Sequence, residues 1–241
     1  MTTPPTDDPT APAGRVGLFR WPVIALVLLT VTAGYSDGYA LGRFDVFIAN
    51  QSGNIVRAGM GIFGEYDAWP LALLSMTGFA IGAVLSWLLG VPGARRGWVL
   101  IRVRLLATSL VLGLWWVAVI VVGNNDQKGI LCSLVGGMAL GILASIVPEI
   151  AGTPMQPAFQ TATVLNAARG LVQWVVGKGE LEAGGRRLAL LGALTILCYG
   201  LGGALGAFAI RLGSTAVLIG LLLPVVALLL TRREGSGSPR S

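Results

Sequence analysis

Long apolar segments are the feature that most constrains the fold of this chain. Six of them, at residues 21–41, 69–90, 99–122, 130–150, 188–210 and 214–230, approach or reach the roughly 20 residues that a helix needs to cross a bilayer. Only 12% of the 241 residues are charged, whereas soluble domains carry about 25% charged residues. The segments are longer than the roughly ten-residue alternating strands of membrane barrels. The sequence therefore predicts an all-α integral membrane protein with six transmembrane helices in a lipid bilayer.

The positions of lysine and arginine predict how these helices are oriented. With a cytoplasmic N-terminus, 13 of the 17 basic residues fall on the inner side and only Arg43, Arg57, Lys128 and Arg211 fall on the outer side. Inner loops of membrane proteins carry the excess of basic residues, so both termini are predicted to be cytoplasmic. The net charge of +6 is explained by this orientation, and no nucleic-acid partner is expected.

An internal repeat emerges when the sequence is aligned with itself at an offset of 112 residues. In each unit, an apolar span is followed by a polar segment, a short apolar stretch (residues 55–64 and 167–177) and two more spans. Three crossings per unit would invert the second unit relative to the first, a plan found in many secondary transporters. The aligned pairs are Asp37 with Glu149, Phe47 with Phe159, Asn54 with Asn166, and Arg57 with Arg169.

This repeat predicts the organisation of the whole chain. Residues 1–20, rich in proline and threonine, form a disordered cytoplasmic tail. Residues 21–122 form the first membrane repeat, 123–129 an external linker, 130–230 the second, inverted repeat, and 231–241 a cytoplasmic tail. Each repeat contains three spanning helices and a short interrupted or re-entrant helix.

The polar segment between the first two spans is either an ordinary loop or the lining of a pocket. Ser52 is predicted to be the N-cap of the short helix, and Gly53 to give the backbone freedom just before it. In transporters of this plan, the interrupted helices form the substrate site. The candidate substrate-binding residues are Asn50, Ser52, Gly53, Asn54, Arg57, Asn166 and Arg169.

Two carboxylates are candidates for ion or proton coupling. Asp37 and Glu149 lie near span ends, where they are either functional intramembrane acids or solvated helix ends. Arg57 and Arg169 have alternatives of their own. They could contact an anionic substrate, pair with the carboxylate of the same unit, or extend to the membrane surface.

Enzymatic chemistry has little support in the sequence. The chain has no histidine, which leaves no Ser-His or Cys-His pair for catalysis. Cys132 and Cys198 lie within apolar runs and do not form a common structural zinc site. We predict no catalytic residues, no bound metal and no cofactor.

Residues 33–59, AGYSDGYALGRFDVFIANQSGNIVRAG, resemble the first unit of the YoaK-type family of bacterial inner-membrane proteins, a domain of unknown function. Ser52 stands where the family usually has threonine. The second unit departs from the family pattern, with GILA at 141–144 and ATVLN at 162–166. The matching positions are Ala33, Gly34, Asp37, Phe47, Ala49, Asn50, Gly53 and Asn54.

The resemblance implies a multi-span protein of the bacterial inner membrane and favours a transporter, without naming a substrate. We predict a secondary transporter or permease that moves a small polar or anionic solute by alternating access. The alternatives are a passive channel of the same fold and a non-transporting partner or assembly protein. Homo-oligomer formation is left open.

Overall fold

A computed structural model of the chain describes residues 19–90, 97–122, 125–150, 153–213 and 218–231. These residues are mostly helical, as the sequence predicts. The helices are α1 (Pro22–Phe44), α2 (Gln51–Ile62), α3 (Trp69–Leu88), α4 (Gly97–Val121), α5 (Asn125–Leu131), α6 (Gly137–Ala144), α7 (Gln160–Val176), α8 (Glu180–Ala209) and α9 (Leu218–Leu229). A π-helical turn (Cys132–Gly136) joins α5 to α6, a hairpin of β1 (Glu149–Ile150) and β2 (Thr153–Pro154) follows α6, and a 3-10 turn (Ile210–Leu212) ends α8.

Within the described ranges, five helical segments are long and apolar enough to cross a membrane. They are Pro22–Phe44, Trp69–Leu88, Val99–Val121, Asp126–Ala144 and Glu180–Leu212. The sixth predicted span, at 214–230, contains α9, which has 12 residues and an internal Pro224. At about 1.5 Å per residue, 12 residues extend about 18 Å, less than the roughly 30 Å hydrocarbon core. Residues 214–217 lie outside the described part of the chain.

Three predicted boundaries differ from the structure. Residues 125–129, predicted as part of an external linker, form the first turns of α5, and the helical segment ends at Ala144 rather than at 150. Helix α8 begins at Glu180, eight residues before the predicted span. Hydropathy places the span after Arg186 and Arg187, but both are exposed, so the helix can extend beyond the apolar segment.

The described residues of the two predicted tails are ordered against each other. Phe19 forms an isolated β-bridge with Thr231, and the N–H of Arg20 donates to the carbonyl of Leu230 at 2.8 Å. Residues 1–18 and 232–241 lie outside the described part of the chain. The start of α1 therefore lies beside the end of α9.

Successive long helices run in alternating directions. At one end of the bundle, a Cβ added to Gly129 of α5 would lie 3.2 Å from Leu71, at the start of α3, and 3.7 Å from Phe44, at the end of α1. At the other end, Arg104 near the start of α4 donates to the carbonyl of Ser145, just after α6, at 3.1 Å. We call these the Phe44 end and the Arg104 end.

Helix α1 crosses α8 through glycine-to-backbone contacts. A Cβ at Gly34 of α1 would collide with the carbonyl of Tyr199, and a Cβ at Gly206 of α8 would collide with the carbonyl of Tyr35. Small residues at such positions let helix backbones approach closely. At these contacts, higher residue numbers in α1 lie against higher residue numbers in α8, so the two helices run in the same direction.

Helices α3 and α6 cross with the same geometry. A Cβ at Gly82 of α3 would collide with the carbonyl of Met138, and a Cβ at Gly141 of α6 would collide with the carbonyl of Phe79. These two helices are also parallel. The first spanning helix of each predicted unit is therefore packed against a helix of the other unit.

The two short helices fold back along α3 and α8. The side chain of Gln51, at the start of α2, donates to the Ser75 hydroxyl at 3.4 Å, while a Cβ at Gly61, near its end, would meet Trp69. Helix α7 lies antiparallel to α8, since Ala167 lies against Gly192 and residues 173–174 lie against residue 185. The N-termini of α2 and α7 thus lie at middle depth, and their C-termini point to opposite ends.

Candidate functional site

The N-termini of α2 and α7 face a common cavity of about 440 Å³. Its polar lining comes from the first residues of both short helices, and its apolar lining includes the rings of Phe79 and Phe159. Among the described residues, no charged side chain lines it. The polar residues are Asn50, Gln51, Ser52, Gln160 and Thr161. Asn50 and Ser52, both predicted to contact substrate, are therefore found together in one cavity.

The N-terminus of α2 is capped by Asn50 and not by Ser52. The Oδ1 atom of Asn50 accepts the N–H of Gly53 at 3.4 Å and the hydroxyl of Ser52 at 2.7 Å. The prediction of Ser52 as the cap is wrong because the helix begins at Gln51, earlier than the apolar pattern indicated. Gly53 is inside the first turn, where a Cβ would lie 2.7 Å from the ring of Phe47.

Asn54 holds the loop before α2 and does not line the cavity. It is fully buried. Its Oδ1 accepts the N–H of Phe47 at 3.1 Å, and its Nδ2 donates to the carbonyl of Phe47 at 2.7 Å and to Oε1 of Gln51 at 3.0 Å. All of these partners are protein groups, so the amide acts as a clamp between the loop and the helix.

Asp37 lies inside α1 with 3% of its surface exposed. Its Oδ1 accepts the N–H groups of Ile48 and Ala49 at 2.7 and 2.6 Å, and its Oδ2 accepts the N–H of Asn50 at 2.9 Å. The hydroxyl of Tyr199 also donates to Oδ2. These hydrogen bonds satisfy both carboxylate oxygens and fix the backbone that leads into α2.

Glu149, the predicted counterpart of Asp37, lies in β1, where its backbone pairs with Pro154. Its side chain is outside what the structure describes. The coupling roles of both acids stay predictions.

Arg57 belongs to a cluster at the Phe44 end. Its guanidinium lies 4.5 Å from the ring centre of Phe47 and 5.3 Å from that of Tyr66, and its Nη2 lies 3.6 Å from Oδ1 of Asp45. The acid partner is thus Asp45 and not Asp37. Burial raises the pKa of the Tyr66 hydroxyl to about 12; this hydroxyl donates to the carbonyl of Asp45. Arg57 does not line the cavity.

The N-terminus of α7 differs from that of α2 in its capping. Its N-cap residue, Phe159, gives no side-chain hydrogen bond. The side chain of Gln160 donates to the carbonyl of Pro157 at 3.0 Å, as Gln51 donates to the carbonyl of Ile48 at 2.9 Å. The Oε1 atom of Gln160 is buried without a hydrogen-bond partner in the described part of the chain.

Asn166 and Arg169 are exposed on α7 and do not line the cavity. The shared hydrogen bond matches Gln160 to Gln51, which differs from the 112-residue offset by about one helical turn. Asn166 is therefore not the structural counterpart of Asn54.

Several residues of the site, including Thr161, were not identified from the sequence. Gln51 and Gln160 each open a short helix, and a search for polar residues directly before an apolar stretch would have found them. Phe79 and Tyr199 lie inside apolar spans, where nothing in the local pattern distinguishes them from packing residues.

The apolar helices, the two folded-back short helices and the partly open cavity between their N-termini define a helical membrane protein with a ligand-sized cavity. In the described residues, no group of three or more His, Cys, Asp or Glu side chains could hold a metal ion. The chain belongs to the DUF1275 family of proteins of unknown function, whose sequence profile matches residues 25–231. This confirms the family membership that the resemblance of residues 33–59 indicated. No curated protein and no solved structure matches the chain.

Proposed function

We propose that the protein is a secondary transporter that binds a small polar or anionic solute in the cavity between α2 and α7. It crosses the bacterial inner membrane six times, with both termini in the cytoplasm, as two inverted units of three spans. The single observation that carries this proposal is the convergence of two short-helix N-termini on one cavity at middle depth.

The helix directions support six crossings. Helices α1, α3, α4, the α5–α6 segment and α8 alternate in direction, and the end of α9 lies beside the start of α1. Described basic residues at the Arg104 end include Arg20, Arg102, Arg104, Arg186 and Arg187. This agrees with a cytoplasmic Arg104 end.

The packing supports two related units. Both units begin with a helix that carries a pair of glycines four residues apart, Gly34 and Gly38 in α1 and Gly137 and Gly141 in α6. In both, a short helix opens with a glutamine that bonds the backbone three residues earlier. The short helices end on opposite sides, as inverted units require.

The electrostatics of the cavity favour an anionic or electron-rich group. Each helix N-terminus carries about half a positive elementary charge, and the ends of α2 and α7 face the same space. Only α2 has a side-chain cap, so the free N–H groups at the start of α7 are available to a ligand. The Gln160 oxygen can accept a hydrogen bond from the same ligand.

The proposal also retains Asp37 and Glu149 as coupling candidates. Asp37 satisfies the first condition for this role, because it is a buried acid inside a spanning helix and intramembrane acids are costly to keep without a function.

A thermal-shift screen of the purified protein in detergent tests the proposal. Small carboxylates, phosphates, zwitterions, neutral polyols and amines are the panel, because a ligand selective for the folded protein raises its melting temperature. We expect stabilisation by a carboxylate or another anion. The Ala162→Trp variant, which fills the cavity, should lose it. The Ala168→Trp variant, on the same helix but outside the cavity lining, should keep it. Stabilisation by no compound, or equal loss in both variants, would contradict this site.

A further inference from the structure

Apart from α4 and α9, which pack on each other and on α6 and α1 respectively, the described helices pack as two bundles that do not follow the two sequence units. Helix α1 packs against α8, and α7 packs against α8; α2, the π-helical turn and α6 pack against α3. We call α1, α7 and α8 the α8 bundle, and α2, α3 and the α5–α6 segment the α3 bundle. The first spanning helix of each unit thus packs in the bundle that contains the short helix and a spanning helix of the other unit.

Each glycine crossing makes its helix pair a stiff body. At Gly34 and Gly206 the backbones of α1 and α8 touch directly, without a side chain between them that could change rotamer. Close-packed interiors resist continuous deformation. Helix α1 is therefore held to α8 more tightly than to α2, to which it is joined through a loop and through the contact between Arg57 and Asp45.

One group of hydrogen bonds connects the two bundles beside the cavity. Asp37 and Tyr199 both belong to the α8 bundle, and the Asp37 carboxylate holds three consecutive N–H groups at residues 48–50. Asn50 then caps α2, in the α3 bundle, and lines the cavity. A change in these hydrogen bonds would therefore alter the position of the α2 N-terminus relative to α7.

We propose that the α8 bundle and the α3 bundle are the two bodies that move against each other. The bonds from the N–H groups of residues 48–50 to the Asp37 carboxylate, together with the bond from Tyr199 to that carboxylate, hold the two bundles together. We call this group of hydrogen bonds the latch. Tyr199 is a positioning residue for the cavity. This inference rests on the proposed transport function for its purpose, but the movement itself is measurable without any flux.

Distances between spin labels, measured in lipid nanodiscs, distinguish movement of the two bundles from movement of the two sequence units. The pair Val23→Cys and Leu88→Cys lies within one sequence unit but in different bundles, whereas Val23→Cys and Glu182→Cys lies in different units but in one bundle. All three positions are exposed. Cys132 and Cys198 are buried, and labelling of the unsubstituted chain gives the background from them.

The perturbation is Tyr199→Phe, which removes only the hydroxyl. The control is Thr77→Val, which removes a hydroxyl that bonds the carbonyl of Leu73 within α3.

We expect Tyr199→Phe to shift the Val23–Leu88 distance distribution and to leave the Val23–Glu182 distribution unchanged. We expect Thr77→Val to change neither distribution. If Tyr199→Phe does not fold, Asp37→Asn replaces it with the same expectation. A shift of the Val23–Glu182 pair, or no shift of the Val23–Leu88 pair, would overturn the inference. Absence of transport in liposomes alongside the expected shift would overturn the proposed function alone.

Discussion

Asp37 and Tyr199 meet where α1 crosses α8, although they are 162 residues apart in the chain, and the tyrosine hydroxyl donates to the Asp37 carboxylate. The same carboxylate accepts the N–H groups that lead into α2. One buried acid thus connects a helix of the first unit, a helix of the second unit and the N-terminus that lines the cavity.

The Asp37→Asn variant should destabilise the fold. An asparagine oxygen at the Oδ1 position can keep the bonds from Ile48 and Ala49, but its amide group then faces the N–H of Asn50, which is also a donor. A buried donor left without an acceptor costs about 1–3 kcal/mol of the free energy of unfolding. The melting temperature in detergent measures this change.

The control is Asp67→Asn, at an exposed acid near the Phe44 end, which should melt like the unsubstituted protein. If Asp37→Asn also melts at that temperature, the carboxylate does not hold the loop.

Asn54 and Asn166 should respond differently to the same substitution. Asn54→Asp places acceptor oxygens against the carbonyl of Phe47 and Oε1 of Gln51, both of which now accept from Nδ2, and it buries a charge. We expect a loss of about 3 kcal/mol or more, since an unpaired buried charge is strongly destabilising. Asn166→Asp, at an exposed position, should change stability by about 0.5 kcal/mol or less. Similar losses in thermal denaturation would contradict the assigned positions.

Two glycines of α8 should differ in the same way. Gly206→Ala brings a Cβ into the carbonyl of Tyr35 at the α1 crossing, whereas a Cβ at Gly200 would have no neighbour within 4 Å. Overpacking typically costs about 1–3 kcal/mol, while alanine in a helix is favoured over glycine by up to about 1 kcal/mol. We therefore expect Gly206→Ala to lower the melting temperature and Gly200→Ala to leave it unchanged or raise it. The opposite order would show that the crossing is not in close contact.

The sequence predicts the helical membrane class and most spans because the bilayer imposes a simple requirement for length and apolarity. It also predicts that short helices interrupt the spans and that Asn50 and Ser52 share a polar site. A hydropathy threshold misplaces the boundary where a helix continues beyond its apolar segment, as α8 does before residue 188.

An alignment without gaps does not reproduce the spacing of similar features in the two proposed units. Between the crossing glycine and the glutamine of the short helix, 17 positions separate Gly34 from Gln51, whereas 23 separate Gly137 from Gln160. The β1–β2 hairpin lies within this longer connection, so the register changes along the unit. The contact between Asp37 and Tyr199 depends on helix packing between units, for which a single sequence contains no local signal.

Uptake into proteoliposomes tests the central claim most directly, with the solute that gives the largest thermal shift as the substrate. The account predicts uptake that saturates with solute concentration, that is lost in Ala162→Trp and that persists in Ala168→Trp. Flux that rises without saturation would indicate a passive channel. Absence of uptake, or equal uptake in the two tryptophan variants, would contradict transport through the cavity between α2 and α7.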